Sequence, residues 1–328
     1  MINDIPKIDL HCHLDGSVRP ETIIELAKKH NIEIPSYEKG TIMKFLVAPA
    51  DCKSLVDYLK VFDIPKKVMQ TEDALRRITF ELYEDAAKEN VKYMEVRFAP
   101  MMHTFKGLAL NEVIESVVKG VKDAEEKYDI RGSIILCCMR NQSEDDAFKV
   151  IEAGREFLGK GVAAIDLCAA ELDNFCDKFE RAAKYAKSIG YRITIHAGET
   201  GVGINVYDAV TKLAAERIGH GVYIKDCDKA YKIVKENNIT LEMCPTSNVQ
   251  TKAVHSIEEH PFKKFYDNGI KVTVNTDNRT VSNTDMLKEC RILFDDFKLS
   301  NDDYRKIYLN SVNAAFADDK TKEWLLTF

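Results

Sequence analysis

The stretch Tyr191–Glu199 (YRITIHAGE) joins a short apolar, β-branched segment to a histidine, two small residues and a glutamate. Apolar segments of this kind are typical of parallel strands that helices cover on both faces of the sheet. Seven further segments along the chain share this character. They are Ile8–Leu10, Val91–Phe98, Ser133–Met139, Val162–Leu167, Arg217–Val222, Thr240–Met243 and Lys271–Val274.

Amphipathic helical patterns lie between these segments, for example in Glu21–His30, Glu112–Lys127 and Cys176–Ser188. Alternation of strand and helix eight times predicts a (β/α)8 barrel, the TIM-barrel type of α/β fold. A doubly wound open sheet is the alternative. We expect the whole chain, 1–328, to form a single domain, because it contains no recognisable linker or repeat.

A long segment separates the first two predicted strands. Roughly 80 residues lie between them, and extra helices inserted after a barrel strand lie over the C-terminal face of the barrel. We expect the insertion, roughly 36–85, to form a pocket wall or lid. A predicted helix over Ser54–Gln70 places Leu55, Tyr58 and Phe62 on one face, a stripe that core packing would also produce.

Composition argues against several classes of function. The chain is 45% hydrophobic and 30% charged, and its net charge of −6 argues against nucleic acid or a membrane surface as the main partner. It has no apolar run of membrane-spanning length and no signal-peptide pattern at its N-terminus. Nine scattered cysteines without a C-x-x-C pair indicate reduced thiols and a cytoplasmic location.

Four of the eight histidines lie where predicted strands end. His11 and His13 follow the first strand, and alternate residues of an extended segment point to the same side, so both imidazoles can share one metal ion. His196 ends the fifth strand, and His220 lies between two glycines near the end of the sixth. A structural role in a turn is the alternative for each. The other histidines, which we interpret as surface or structural residues, are His30, His103, His255 and His260.

Two acidic residues also follow predicted strands. The Ala-Gly spacer after His196 allows a sharp turn, so Glu199 can face the same cavity as a proton donor. Asp277 follows the eighth strand. Either acid alone would also fit a turn or a helix N-terminus. Because a barrel brings its C-terminal strand ends together, three neutral imidazoles and one carboxylate predict a catalytic zinc site.

These residues lie in segments that resemble the adenosine deaminase family of metal-dependent amidohydrolases. The resemblance extends over nearly the whole chain and implies a (β/α)8 barrel. It implies zinc-dependent hydrolytic deamination of adenosine and 2′-deoxyadenosine to inosine and ammonia, in purine salvage. The binding partner would be a small purine nucleoside. The protein would be a monomer or a weak homo-oligomer. The matching segments are Leu10–Ser17, Glu95–Phe98, Ile165–Leu167, His196–Glu199, Arg217–Gly221, Cys244–Asn248 and Asn275–Asp277.

The resemblance also implies the catalytic and metal-binding residues. Glu199 would protonate purine N1. His220 would orient the hydroxide and stabilise developing charge, and Asp277 or His220 would take the proton of the attacking water. The ligands of one Zn²⁺ per chain would be His11, His13, His196 and Asp277.

The implied substrate contacts include two departures from the family pattern. Asp15 would bind the ribose 5′-hydroxyl. Asn278 stands where many members carry the Asp that bonds purine N7, and Ala169 stands where many carry a glycine whose backbone meets N3. An amide can donate or accept and Ala169 keeps its N–H, so we expect altered affinity rather than altered chemistry. The insertion would contribute Leu55, Tyr58 and Phe62.

Alternative functions are distinguished by specific residues. A relative that deaminates adenine or an N6-substituted adenine nucleoside or nucleotide is the first alternative. Asp15 favours a nucleoside, and the pocket segments show no basic cluster for a phosphate. A metal-dependent phosphoesterase would need more metals and bridging carboxylates. A catalytically inactive binding protein would have lost a metal ligand or the acid, and all of them are present.

Overall fold

The computed structural model describes residues 2–49 and 51–328. Eight strands pair in sequence order, and every neighbouring pair is parallel. The strands are β1 (Lys7–His13), β2 (Val91–Phe98), β3 (Arg131–Met139), β4 (Val162–Cys168), β5 (Arg192–Ala197), β6 (Arg217–His220), β7 (Thr240–Met243) and β8 (Val272–Val274).

The barrel closes beyond the end of β8. Cys12 in β1 forms a parallel bridge with Asp277. The His13 N–H donates to the Asp277 carbonyl at 2.6 Å, and the Asp277 N–H donates to the His11 carbonyl at 2.8 Å. The predicted TIM barrel is confirmed, and the open-sheet alternative is wrong. The first strand is longer than predicted, so that His11 and His13 lie within β1 rather than after it.

Helices cover the outside of the barrel. They are α1 (Pro20–Lys29), α2 (Lys39–Leu46), α3 (Leu55–Leu59), α4 (Asp63–Val68), α5 (Glu72–Lys88), α6 (Leu110–Lys127), α7 (Glu144–Gly154), α8 (Phe175–Ser188), α9 (Ile204–Lys212), α10 (Asp228–Glu236), α11 (Pro245–Gln250), α12 (Phe262–Asp267), α13 (Met286–Arg291), α14 (Asn301–Ala314) and α15 (Asp319–Leu325). Within residues 2–49 and 51–328, none of these helices has the length and hydropathy required to cross a bilayer.

The three quoted amphipathic patterns are confirmed as α1, α6 and α8. In α6, the buried side chains Val113, Val117 and Val121 recur every four residues and form the stripe that faces the barrel. The sixth strand is shorter than the predicted Arg217–Val222. It ends at His220, because Gly221 has a φ of +67° and turns the chain out of the sheet.

The insertion contains α2, α3 and α4, and the prediction of one helix over Ser54–Gln70 is wrong. α3 ends at Leu59, a 3-10 turn spans Lys60–Phe62, and α4 begins at Asp63. Pro65 has no N–H to donate and its ring clashes with the carbonyl four residues earlier, so a continuous helix cannot form.

A small apolar cluster fixes this insertion to the rest of the molecule. Tyr58 is its most deeply buried aromatic residue, and its hydroxyl is hydrogen-bonded to Ser282 Oγ at 2.6 Å. Ser282 lies in the segment after β8, which also supplies Val281 to the cluster. We call this group the wall cluster; its buried members are Ala48, Cys52, Leu55, Tyr58, Phe62 and Val281.

Candidate metal centre and substrate pocket

Four buried potential metal ligands meet at the C-terminal end of the barrel. Their ligand atoms all lie within 4.8 Å of one another, although the residues come from β1, β5, β6 and the segment after β8. Parallel strands deliver distant residues to one place in this way because all their carboxyl ends open on the same face. The four residues are His11, His196, His220 and Asp277.

His13 is a fifth potential ligand beside this group. Its Nε2 lies 3.1 Å from His196 Nε2 and 3.4 Å from Asp277 Oδ1. Burial lowers the pKa of His13 well below its ordinary value and also lowers the pKa of His196, so both rings are neutral near pH 7. Two neutral ring nitrogens that face each other can place at most one proton between them, whereas a shared cation would satisfy both lone pairs.

The residues present therefore fit a metal ion. The fully buried Nε2 of His11 faces this group, and it makes no hydrogen bond to the described residues, although Asp277 Oδ1 lies 3.4 Å away. A buried nitrogen without a partner is costly unless something else binds it. Several imidazoles with one carboxylate form a donor set that suits Zn²⁺.

Buried carboxylates orient two of the imidazoles from behind. His11 Nδ1 is hydrogen-bonded to Glu242 Oε2 at 2.9 Å, and His196 Nδ1 lies 2.7 Å from Asp166 Oδ2. Arg97 donates to both acids, at 2.8 Å to Asp166 and 2.6 Å to Glu242. Partners of this kind hold a ligating ring in one orientation and tautomer. Sequence reasoning missed this role, although charges inside apolar strands were a signal for it.

Glu199, the predicted proton donor, lies next to the candidate metal centre. It is 5% exposed, and its Oε2 lies 3.6 Å from His220 Nε2. Burial, together with the negative charges of Asp277 and Glu171, raises the pKa of Glu199 to about 8. The carboxyl group is therefore mostly protonated at neutral pH, as the predicted proton donor requires.

Glu171 holds the turn that carries Glu199. Its carboxylate accepts three consecutive backbone N–H groups, from Gly198 at 2.7 Å, Glu199 at 2.9 Å and Thr200 at 3.0 Å. It also accepts a hydrogen bond from the Asn205 side chain at 3.0 Å. Sequence reasoning missed Glu171, because an acid five residues beyond Asp166 gave no signal of its contact with a different loop.

Three site residues have backbone conformations that favour glycine. The φ angles are +65° at His220, +57° at Asp277 and +82° at Ala169. Strained residues of this kind concentrate at functional sites, where the surrounding structure must hold them. Ala169 is the position where the related family often has glycine, so its methyl group is accepted at a cost in backbone strain.

The candidate substrate pocket opens above these residues. It has a volume of about 340 Å³, which suits a small organic ligand. Every site residue predicted from the sequence lines it except His11, which is fully buried beside it. The predicted residues along its walls are His13, Asp15, Leu55, Tyr58, Phe62, Ala169, His196, Glu199, His220, Asp277 and Asn278.

Two polar residues that line the pocket, Asp15 and Asn278, each have a buried oxygen without a hydrogen-bond partner among the described residues. Burial raises the pKa of Asp15 to about 6, and its Oδ1 has no partner among the described residues. Asn278 Oδ1 is likewise buried without a partner in the part of the chain described. A Cβ at Gly16 would lie 1.8 Å from Asn278 Oδ1, so Gly16 is required for the amide to occupy its place.

Two basic residues, Lys66 and Arg140, also line the pocket. Arg140 donates to the carbonyl oxygens of Ala169, at 2.6 Å, and of His196. Lys66 forms an ion pair with Asp63 at 2.9 Å. Sequence reasoning identified neither residue. Since both already have partners, they do not form a basic cluster open to a phosphate.

Comparison with known proteins finds relatives over the full chain. A family model described as adenosine deaminase matches residues 6–327. The adenosine deaminase of Clostridium botulinum (strain Okra, type B1) is 57% identical over 324 residues, which cover 99% of this chain and 97% of that protein. The adenosine deaminase of Vibrio vulnificus (strain YJ016) is 54% identical over 325 residues, covering 99% and 98%.

Solved structures share the architecture. An adenine deaminase from Arthrobacter aurescens aligns with a TM-score of 0.90 at 28% identity, covering 98% of this chain and 97% of that one. A zinc-bound amidohydrolase from Burkholderia ambifaria aligns with a TM-score of 0.88 at 28% identity, covering 99% and 90%.

Proposed function

Because the chain belongs to the adenosine deaminase family, we propose that the pocket at the C-terminal end of its barrel is the site of the family's reaction. That reaction is the hydrolytic deamination of adenosine to inosine and ammonia. One observation carries the assignment of the site: a buried cluster of imidazoles and a carboxylate adjoins a pocket that also contains an acid with a raised pKa, Glu199.

The metal of this site would be a single zinc ion. When bound, it would supply the Lewis acidity that makes water a nucleophile near neutral pH. His220 would stay outside the ligand set, since its Nδ1 is hydrogen-bonded to Asn248 and its Nε2 faces Glu199. The residues that would hold the ion are His11, His13, His196 and Asp277.

Glu199 would supply the proton that activates the purine ring. Addition of water to C6 places electrons on N1, and a proton on that nitrogen makes the addition favourable. The Glu199 carboxyl group keeps its proton near pH 7 because its pKa is raised to about 8. The Glu171 carboxylate fixes the turn around Glu199, so the acid can be presented in one orientation.

Asp277 and His220 would act on the attacking water. Ser247 Oγ donates to Asp277 Oδ2 at 2.5 Å, while Oδ1 faces His11 and His13 at 3.4 Å. Asp277 is therefore held in a fixed orientation, in which a carboxylate can accept a proton. His220 would orient the water and stabilise the charge that develops.

The pocket walls would select a nucleoside. Asp15, whose buried oxygen has no partner among the described residues, would accept a hydrogen bond from the ribose 5′-hydroxyl. Ala169 N–H and the Asn278 amide would meet purine N3 and N7. The apolar faces of Leu55, Tyr58 and Phe62 would exclude water from the bound substrate.

Deamination of adenine, or of an N6-substituted adenine nucleoside or nucleotide, remains the alternative specificity. It would use the same zinc and acid, so only the sugar-facing side of the pocket separates these substrates. Lys66 already pairs with Asp63, and Arg140 already donates to the Ala169 carbonyl. Because neither cation is left to bind a phosphate, the pocket favours an uncharged nucleoside over a nucleotide. Activity on 2′-deoxyadenosine would also follow, because none of the proposed contacts involves the 2′-hydroxyl.

Two broader properties belong to the same proposal. All nine cysteines are unpaired, which supports a reducing, cytoplasmic environment. We also propose a monomer or a weak homo-oligomer as the active form.

The test is ammonia release from adenosine, adenine and N6-methyladenosine, using zinc-loaded and chelator-stripped protein. We expect zinc-dependent release from adenosine and little from adenine. His13→Ala and His255→Ala form a matched pair, since each removes one imidazole and His255 is exposed outside the site. Only His13→Ala should lose bound zinc and activity. Release from adenine alone would contradict the nucleoside assignment, and activity that survives complete metal removal would contradict the zinc assignment.

A further inference from the structure

A continuous chain of hydrogen bonds connects the backbone of α12 to His220. The N–H of Phe262, the first residue of α12, donates to His260 Nδ1 at 3.2 Å. His260 Nε2 lies 3.1 Å from Asn248 Oδ1, and Asn248 Nδ2 lies 2.9 Å from His220 Nδ1. The three side chains are at most 5% exposed, so solvent does not compete for these bonds.

The Phe262 N–H, at one end of this series of hydrogen bonds, determines where each of its protons lies. A peptide N–H can only donate, so His260 Nδ1 carries no proton and His260 Nε2 carries one. His260 Nε2–H therefore donates to Asn248 Oδ1, which turns the amide nitrogen towards His220. Asn248 Nδ2 donates to His220 Nδ1, and the neutral His220 ring must carry its single proton on Nε2.

The opposite arrangement is unfavourable at a specific point. If His220 carried its proton on Nδ1, the Asn248 amide would have to rotate to present its oxygen. Its NH₂ group would then face His260 Nε2–H, and two buried donors would meet without an acceptor. Burial also lowers the pKa of His260 to about 3, so the His260 ring stays neutral.

We infer that Asn248 and His260 are positioning residues that hold His220 as its Nε2–H tautomer, and so make His220 a hydrogen-bond donor towards the reacting atoms. His220 Nε2 is on the pocket side of the ring, 3.6 Å from Glu199 Oε2. A neutral ring of this tautomer cannot take a proton at Nε2, which leaves Asp277 as the base. The catalytic meaning of this inference rests on the proposed function, whereas the tautomer itself does not.

Nuclear magnetic resonance of the protein with isotope-labelled histidine nitrogens measures the tautomer directly. The nitrogen shifts of His220, assigned by their loss in His220→Gln, should show a protonated Nε2 and a bare, hydrogen-bonded Nδ1. The spectrum is recorded on zinc-loaded and stripped protein and requires no activity, so it remains informative if the substrate assignment fails. A proton on Nδ1 with a bare Nε2 in both samples would overturn the inference.

Asn248→Asp reverses the hydrogen bond between residue 248 and His220, and the side chain keeps almost the same shape. A carboxylate accepts from both sides, so His220 should move its proton to Nδ1 and present a bare Nε2 to the pocket. We expect kcat to fall about a hundredfold, the loss typical of removing one donor from a reacting centre. KM and zinc content should change little, and that split separates a tautomer effect from a general structural defect.

Two comparisons complete the test. Asn248→Gln keeps an amide, and its failure to recover more activity than Asn248→Asp would count against the inference. His255→Gln changes an exposed histidine outside the chain of hydrogen bonds and should leave the His220 signals and kcat unchanged. If Asn248→Asp retains both the original His220 shifts and the original kcat, the inference is wrong. If that variant does not fold, the spectrum of the unmodified protein still decides the tautomer.

Discussion

Glu199 shows how burial and neighbouring charge control the protonation of one side chain. Burial disfavours the carboxylate, and the charges of Asp277 and Glu171 disfavour it further, so its pKa is about 8 instead of 4.5. The acid form is therefore present below about pH 8 and is lost as the pH rises through that value. A carboxylic acid that is neutral near pH 7 can donate a proton to a weakly basic ring nitrogen.

Glu199→Gln tests the acid directly. The amide fills nearly the same volume but cannot transfer a proton, so we expect kcat to fall by about 10²–10⁴-fold. Zinc content should stay the same, because Glu199 is not among the proposed ligands. The measurements are steady-state kinetics and metal analysis, and turnover near the rate of the unmodified enzyme would remove Glu199 from the role of acid.

The pH profile of kcat/KM provides a second check on Glu199. Because the pKa of this carboxyl group is raised to about 8, activity should decline on the alkaline side near that pH. The residual activity of Glu199→Gln should lack this alkaline limb. If the alkaline decline in kcat/KM is unchanged in Glu199→Gln, the decline arises from the titration of another group.

Asp15 is the residue that would distinguish a nucleoside from a free base. Asp15→Ala removes the carboxylate that would bind the ribose 5′-hydroxyl, so KM for adenosine should rise about tenfold, the effect of roughly 1.4 kcal/mol. KM for 5′-deoxyadenosine, which lacks that hydroxyl, should change much less. Equal effects on both substrates would show that Asp15 does not recognise this part of the sugar.

Among the elements, the turn after β5 depends on a side chain from another loop. Gly198 has a φ of +68°, and a Cβ there would lie 2.7 Å from Val206 Cγ2, so the turn needs glycine at this point. Its backbone N–H groups then converge on the Glu171 carboxylate. The turn is thus held by a single buried acid from the segment after β4.

Glu171→Ala should disrupt this turn. Several backbone donors would lose their acceptor, and we expect a loss of about 1–3 kcal/mol in the free energy of unfolding for each one that stays buried and unpaired. The kcat value should fall more than KM rises, because Glu199 would lose its fixed orientation. Denaturant unfolding and steady-state kinetics measure the two effects.

Glu156→Ala is a matched control for Glu171→Ala, since Glu156 is an exposed glutamate outside the pocket. It should change stability by less than about 0.5 kcal/mol. If Glu171→Ala behaves like this control, the carboxylate does not hold the turn.

At the scale of the whole molecule, the interior of the barrel contains a network of buried, paired charges. Arg97 and Arg217 are both buried there, and both donate to Glu242, each at 2.6 Å. Glu242 in turn orients His11. Breaking a buried network of this kind is costly because it leaves uncompensated charge. The network therefore couples the metal centre to the stability of the barrel.

Metal removal should consequently lower the stability of the whole fold. A ligand that binds only the folded protein stabilises it by about 4 kcal/mol at a free concentration of 1,000 times its Kd. We expect the Tm to fall on chelation and to recover when zinc is restored. His13→Ala should show a much smaller difference between the two conditions. Identical Tm values with and without zinc in the unmodified protein would contradict a metal bound by this centre.

The sequence alone determined the fold class and most of the site. Eight apolar segments were enough for the barrel, because a strand buried on both faces needs apolar residues at nearly every position. Polar residues at the ends of those segments had to face one another once the barrel was assumed. His11, His13, His196, His220 and Asp277 could be brought together on this basis.

Only the tertiary structure decided the contacts between loops, the protonation of Glu199 and the tautomer of His220. Glu171 and Asn248 act on residues of other loops, and no periodicity in the sequence connects them to Glu199 or His220. The break between α3 and α4 is a different case, because Pro65 is a local signal that the sequence already carries. Burial is a property of the assembled barrel, so the raised pKa of Glu199 and the tautomer of His220 arise only after distant segments have packed together.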